Sequence, residues 1–144
     1  RGLEVKYDIA PGKGIKGIPF GTGVSGVRAA LGAGFKSFMR TPGAAHPCDY
    51  FAGAGLFANY DKTGRLEAIE LASPAAPELY GINLLGMGFE QAVKYLKSKD
   101  PQLEREVDGA ISLALGISLY APHAVNDPKL PPESVLVFAP GYYD

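Results

Sequence analysis

The sequence has one cysteine, Cys48, no tryptophan, and only two histidines and two methionines. A single cysteine excludes an intrachain disulfide framework and fits a reducing compartment. The expectation is a cytoplasmic protein, with the periplasm as the alternative if a signal segment was removed before Arg1. A surplus of either charge is also missing: 14 Lys+Arg stand against 15 Asp+Glu, for a net −1. That argues against a general nucleic-acid binder, which carries a strong positive excess. Long apolar runs are absent as well. Gly, Pro or charge interrupts each one well short of the roughly 18 residues of a membrane span, so no span is expected. No basic-then-apolar leader opens the chain, and Asn59, Asn83 and Asn126 are not followed by glycosylation sequons.

What is present is core material and turn material. Of 144 residues, 47% are hydrophobic and 20% charged, enough to bury an interior as one domain spanning 1–144. Nineteen glycines and 12 prolines read as frequent turns, not as a flexible polymer.

Self-similarity is the first organisational signal. Phe20-Gly21-Thr22-Gly23-Val24 and Leu85-Gly86-Met87-Gly88-Phe89 share the pattern apolar, Gly, any, Gly, apolar. Phe89, Ala92, Val93 and Leu96 then follow helical spacing, and Val24, Val27 and Leu31 do so with fewer anchors. Each copy reads as a Gly-rich turn feeding a short amphipathic helix. Lys94, Lys97 and Lys99 suit the C-terminal end of the second helix dipole, and Pro101 stops it.

Strands follow each helix. Ile111 to Tyr120 alternates strictly with period 2, and Tyr50 to Tyr60 is its weaker counterpart, with Tyr50, Ala52, Ala54, Leu56, Ala58 and Tyr60 expected on one face. Asp61-Lys62-Thr63-Gly64 is a turn, and Arg65–Leu71 the returning strand. Ser134–Ala139 returns in the second half, with Val135–Phe138 continuously apolar and expected to be covered on both faces. Leu3–Ile9 reads as an N-terminal strand. Small residues at Gly53, Gly55, Ala114 and Gly116 suit close approach by a helix or by a partner, with helix packing the expectation. The expected fold is α+β: an antiparallel sheet of four to six strands with two short helices on one face. It is built from related units 11–72 and 78–140, joined at 73–77.

Pro11-Gly12-Lys13-Gly14-Ile15-Lys16-Gly17-Ile18-Pro19-Phe20-Gly21, with its short helix ending at Leu31-Gly32, resembles the opening of small bacterial proteins that begin PGKGIG-x-I-x-FG-M-S. Gly81-Ile82-Asn83-Leu84-Leu85-Gly86-Met87 repeats the idea. The helix-then-hairpin unit is similar to the outer-membrane assembly lipoproteins of the BamE/SmpA type, and its doubled form to the beta-lactamase inhibitory protein. Some proteins of this look accompany bacterial toxins as immunity partners, which implies a protein-binding inhibitor. The chain departs from these patterns in having no cysteine near Arg1 to carry a lipid, and Thr22-Gly23-Val24-Ser25 in place of a Met-Ser pair.

Catalytic signals are sparse. Gly21-Thr-Gly-Val-Ser-Gly26 precedes a helix, as a dinucleotide-binding turn does, but such a site also needs a βαβ unit and an acidic residue about 20 positions on. The stretch from Gly32 to Pro47 offers no convincing second parallel strand, so a helix-entry turn is the expectation. His46-Pro47-Cys48-Asp49 clusters ligand-type residues, and His123 and Asp127 stand elsewhere, without metal-site spacing. A Cys48–His123 nucleophilic pair is testable only in space. No cofactor and no metal are expected. Glu104 and Glu106 lie in a polar stretch, Asp100–Asp108, and point to one face if it is extended. Charge is uneven along the chain, +5 over residues 1–45, −4 over 46–93 and −2 over 94–144, a pattern that suits either steering of a charged protein or neutralisation between halves. Eight tyrosines supply rings with polar tips, the favoured anchors of interfaces.

The leading reading is a non-catalytic protein-binding module, concretely an immunity-type protein neutralising a bacterial toxin, with Tyr50, Tyr60, Tyr120, Tyr142 and Tyr143 as binding residues. A small nucleotide-binding protein or enzyme using the Gly21–Gly26 turn or Cys48 is one alternative. A cell-envelope scaffold protein is another.

Overall fold

The structure, a computed structural model, describes residues 4–44 and 46–144. The chain runs through β1 (Val5–Ala10), β2 (Gly14–Ile15), β3 (Ile18–Pro19), α1 (Val24–Leu31), β4 (Phe35–Phe38), β5 (Cys48–Phe51), β6 (Leu56–Tyr60) and β7 (Leu66–Ala72). It continues through β8 (Ala75–Leu79), β9 (Ile82–Asn83), α2 (Phe89–Lys99), β10 (Glu104–Glu106), β11 (Gly109–Ser112), β12 (Ile117–Tyr120) and β13 (Ser134–Phe138). The fold is α+β. An eight-stranded sheet has the order β10-β11-β12-β13-β7-β6-β5-β4, and a five-stranded sheet the order β3-β2-β1-β8-β9. All pairings are antiparallel except β1 with β8.

In the large sheet each half of the chain supplies four consecutive strands, and β7 and β13 meet in the middle. One face is largely apolar, with Ser37, Asp49, Ser112 and Arg105 among its polar positions. The row Phe35, Phe51, Leu56, Leu71, Val135, Leu119, Ala110 is in register across seven strands, and the row Ala58, Ile69, Val137, Ile117 runs beside it. Most of these residues are buried in one cluster with Val27 of α1 and with Phe89, Ala92, Val93 and Leu96 of α2. Burying each large aliphatic among them is worth about 1.5–3 kcal/mol relative to exposure. Both helices therefore lie on the same, inner, face. The five-stranded sheet contributes Ile9, Ile15, Ile18 and Leu79 to the same core.

Several expectations change in detail. The strands are more numerous than four to six because the two long alternating runs each fold back on themselves. Tyr50–Tyr60 breaks at Ala52–Gly55, and Ile111–Tyr120 at Leu113–Gly116, giving β5–β6 and β11–β12 hairpins. Gly55 at φ +67° and Gly116 at φ +69° make these returns, a conformation that side-chain-bearing residues rarely adopt. A Cβ on Gly116 would lie 2.6 Å from the Phe138 carbonyl oxygen, and one on Gly55 would collide with that of Ala72. The close approach these glycines permit is thus by a neighbouring strand, not a helix, while Gly53 faces open space. The joint narrows to a turn at Ser73-Pro74, since Ala75, Ala76 and Pro77 already belong to β8. The N-terminal strand starts at Val5, and the expected start at Leu3 lies outside the described residues.

Candidate protein-binding face

Among the described residues, no layer of secondary structure closes the other face of the large sheet. Its central row is Lys36, Tyr50, Phe57, Glu70, Leu136, Ser118, Ile111 and Glu104, in register across all eight strands. A second row is Ala72, Ser134, Tyr120, Gly109 and Glu106. Polar, charged and aromatic side chains make up most of the central row, where the inner row from Phe35 to Ala110 carries only apolar ones, the normal asymmetry of an antiparallel sheet.

Aromatic rings organise this face. Tyr50 stacks on Phe57 with centroids 4.2 Å apart and planes inclined by 21°, and the exposed Phe38 meets Phe57 edge-on at 6.2 Å. Arg40, from the segment after β4, lays its guanidinium 4.9 Å over the Phe57 ring and pairs with Glu70. At the other end of β13, the C-terminal residues turn back over the sheet. Ala139 donates its N–H to the Glu67 carbonyl, and Tyr142 its N–H to the Ala139 carbonyl. Tyr142 stacks against Phe138 and Tyr143 meets it edge-on, at 5.8 and 5.0 Å. The expected cover on both faces of Val135–Phe138 is met only in part: the chain's own C-terminus caps Phe138, while Leu136 stands half-buried on the open face. Between these groups lies a cleft of about 220 Å³ lined by Arg40, Asn59, Glu70, Ser118, Tyr120 and Tyr142, among others.

Four of the five tyrosines singled out in the sequence thus come to one face: Tyr50 half-buried, Tyr120 48% exposed, Tyr142 half-buried and Tyr143 55% exposed. Tyr60 does not join them. It is 7% exposed, and its hydroxyl donates to Asp49 at 2.8 Å inside the core. The reason is the hairpin at Ala52–Gly55, which reverses the phase that a continuous strand would have kept. The same reversal brings Phe57 and Asn59 to the face of Tyr50. Sequence reasoning missed Phe57 on that account. It missed Arg40 because a loop arginine carries no periodicity to place it.

Beneath this face, Asp49 is the charged centre of the structure. It is 1% exposed. Its carboxylate accepts from Arg28 Nε at 2.8 Å and Nη2 at 3.0 Å, from the Tyr60 hydroxyl at 2.8 Å, and from the Ser37 hydroxyl. Burial pushes its pKa up, but the bonds from Arg28, Ser37 and Tyr60 outweigh burial and hold it below the ordinary carboxylate value. The Tyr60 hydroxyl is pushed up, by burial first and by Asp49 second. This cluster ties α1 to β4, β5 and β6 and leaves the carboxylate no free lone pair for chemistry.

The other chemical candidates are not assembled into sites. In the Gly21–Gly26 turn, the Gly21, Thr22 and Val24 amides donate to the carbonyls of Leu66, Pro19 and Gly64, so they are spent on the fold and not aimed at a phosphate. The strands flanking α1, β3 and β4, belong to different sheets, so the helix is not part of a parallel βαβ unit. Cys48 is buried on β5, and burial pushes its thiol pKa up, away from the thiolate a nucleophile needs. His123 stands beyond β12, with its ring 3.3 Å from Glu133. Three strands separate β5 from β12, so Cys48 and His123 do not meet. His46 turns its ring edge toward Tyr60 at 5.5 Å. Among the described residues, no three His, Cys, Asp or Glu side chains gather as a metal site, and no helix is long and apolar enough to cross a membrane. Comparison with protein-family models, with curated protein sequences and with solved structures finds no match to this chain.

Proposed function

We propose that the chain is a non-catalytic protein-binding module that lays the outer face of its eight-stranded sheet on a partner protein, in the manner of an immunity protein occluding a bacterial toxin. One observation carries this reading. The sheet packs one face against two helices and the smaller sheet and leaves much of the other open, with aromatic rings, hydroxyls and charges along its central row. Half-exposed tyrosines offer large rigid contact area at low entropic cost. The ring stacks Tyr50–Phe57 and Phe138–Tyr142 hold that area in place before any partner arrives, which lowers the ordering cost of binding. The buried Asp49 cluster keeps the β4–β6 part of the face rigid from below. The two-unit design, 11–72 and 78–140, belongs to the same proposal: each half lends four strands to one broad surface.

The test uses Tyr120→Ala/Tyr143→Ala, which removes two exposed rings, in a variant first shown to keep the wild-type melting temperature because Tyr143 packs on the buried Phe138. Recovered from its own host under native conditions, the wild-type chain is expected to hold a protein partner at fixed stoichiometry. The double variant is expected to lose at least about tenfold in affinity, in line with truncation of interface anchors. A partner held equally well by the variant, or multiple turnover of a small substrate by the isolated chain, overturns the reading.

A further inference from the structure

The two sheets end in four edge strands, β10 and β4 in the large sheet and β3 and β9 in the small one. An edge strand carries unpaired N–H and C=O groups, and proteins usually blunt it. β3 and β9 are two residues long, and Pro19 of β3 has no N–H to offer. In the large sheet the hydrogen-bond register decides, because bonded pairs alternate along an antiparallel ladder. Phe138 donates its N–H to the Gly116 carbonyl, and Ala121 its N–H to the Asp108 carbonyl. Counting on from these, Glu104–Ile111 and Glu106–Gly109 are the bonded pairs of β10. Arg105 alone turns its backbone groups outward there, flanked in sequence by two glutamates. Charge and shortness blunt that edge.

β4 is different. The Ala72 N–H donates to the Gly55 carbonyl. By the same count, Phe57–Glu70 is a bonded pair of β6 and β7, Asp49–Ala58 of β5 and β6, and Lys36–Tyr50 and Phe38–Cys48 of β4 and β5. The groups left facing away from the sheet are the Ser37 N–H and C=O and the Phe35 C=O. The Phe35 N–H is taken by the Ala33 carbonyl in its own loop. Among the described residues, no backbone group bonds to Ser37 from that side. Lys36 to Arg40 are all exposed, Phe38 at 40% and Met39 at 49%. The strand has no proline and no acidic residue, and Lys36 is its one charge.

The pattern of this strand names its occupant. Opposed residues of an antiparallel pair share a face of the sheet, so two copies meeting about a two-fold axis have few registers open to them. Centred on Lys36, the pairing sets lysine against lysine. Centred on Phe38, it sets Lys36 against the second copy's Arg40. Centred on Phe35, it spends half its length on the loop Ala33–Gly34. Centred on Ser37, it brings the free groups together: each Ser37 N–H meets the other Ser37 carbonyl, and Met39 of one copy lies opposite Phe35 of the other. Lys36 then faces the second copy's Phe38 on the outer side, and does so twice. These are non-hydrogen-bonded pairs, in which opposed side chains come closest. An ammonium beside an exposed ring is attracted to it.

We infer that two copies of this chain pair β4 antiparallel to β4 about a two-fold axis at Ser37, joining their eight-stranded sheets edge to edge. The two outer faces then run on as one surface. The contact is short, so the dimer is a reversible one. This inference goes beyond the protein-binding reading and stands without it.

The test needs no partner. Sedimentation equilibrium of the wild-type chain from about 10 µM to about 1 mM, where small interfaces associate, is expected to show a monomer–dimer equilibrium. Over the same range the amide exchange of Ser37 should slow. The amides of Lys36 and Phe38, already bonded to β5, should change little. Phe38→Lys sets like charges opposite each other twice and is expected to weaken the dimer by at least about tenfold. Lys36→Glu/Phe38→Lys sets opposite charges there and should restore it. Each variant is first shown to keep the wild-type melting temperature at low concentration. A wild-type chain that stays monomeric, or that grows past the dimer as a head-to-tail polymer would, overturns the inference. So does a dimer that is indifferent to Phe38→Lys, or one that the double variant fails to restore.

Discussion

The two ends of the eight-stranded sheet are fastened to their helices by the same kind of bond in opposite environments. At the β4–β5 end, Arg28 of α1 reaches Asp49, which is 1% exposed and shared with Ser37 and Tyr60. At the β10 end, Glu90 of α2 pairs with Arg105, and both side chains are nearly half exposed, at 46% and 48%. Arg28 also stands 4.2 Å over Phe35, as Arg105 does over Phe89. The difference in burial decides what each bond is worth. A buried carboxylate that loses its partners is stranded without water, whereas an exposed one is rehydrated at once. The charge network is therefore structural at one end, and at the other it mainly disposes of a cation.

The largest effect is expected at Asp49. Asp49→Ala leaves Arg28, Ser37 and Tyr60 without their acceptor and should cost about 3–5 kcal/mol in urea unfolding. The same residue gives the comparison a pH axis. Its pKa is lowered on folding, so its contribution is complete above the unfolded carboxylate value of about 4 and is lost as pH falls through the lower folded value. Wild-type stability should fall below about pH 4 along a curve that Asp49→Asn flattens; parallel curves for the two chains would show that Asp49 is not the group responsible.

A middle-sized effect should be equal at both ends. Gly55→Ala and Gly116→Ala force a side chain into positive φ against a strand carbonyl, at roughly 2–3 kcal/mol each. Chemical denaturation of the two variants side by side checks this, and a large inequality would mean that one hairpin bears more of the sheet than the other. The smallest effect is expected for Arg105→Ala. It should change stability by about 1 kcal/mol or less, part of it the packing over Phe89, with the ionic share vanishing in high salt. A loss approaching that of Asp49→Ala would erase the distinction between the ends.

Local signals were legible where residues close in sequence solve their own problem. Phe89, Ala92, Val93 and Leu96 announce α2 and all four are buried. Asp61 announces its turn, since its carboxylate accepts from Thr63 and Arg65 within the same loop. The continuous apolar run Val135–Phe138 announces a central strand, β13, although Leu136 stays half-buried on the open face. The long alternations misled because period 2 is blind to a turn. Ile111 and Ile117 alternate in phase along the chain, yet the hairpin between them sends Ile111 to the outer face and Ile117 to the inner one. Tyr60 entered the group of expected interface tyrosines for the same reason and left it on the same account.

The sequence by itself determined the class of the fold, the two helices, the main turns and the supply of tyrosines, because these follow from spacing, backbone freedom and composition over a few residues. Tertiary structure alone decided which tyrosines share a face, that Asp49 meets Arg28 from 21 positions away, and that Arg105 turns inward while Glu104 and Glu106 turn out. Those outcomes depend on strand order and on the phase at each hairpin. Both are fixed by burying one continuous apolar surface across seven of the eight strands, an energy that no local window of sequence contains.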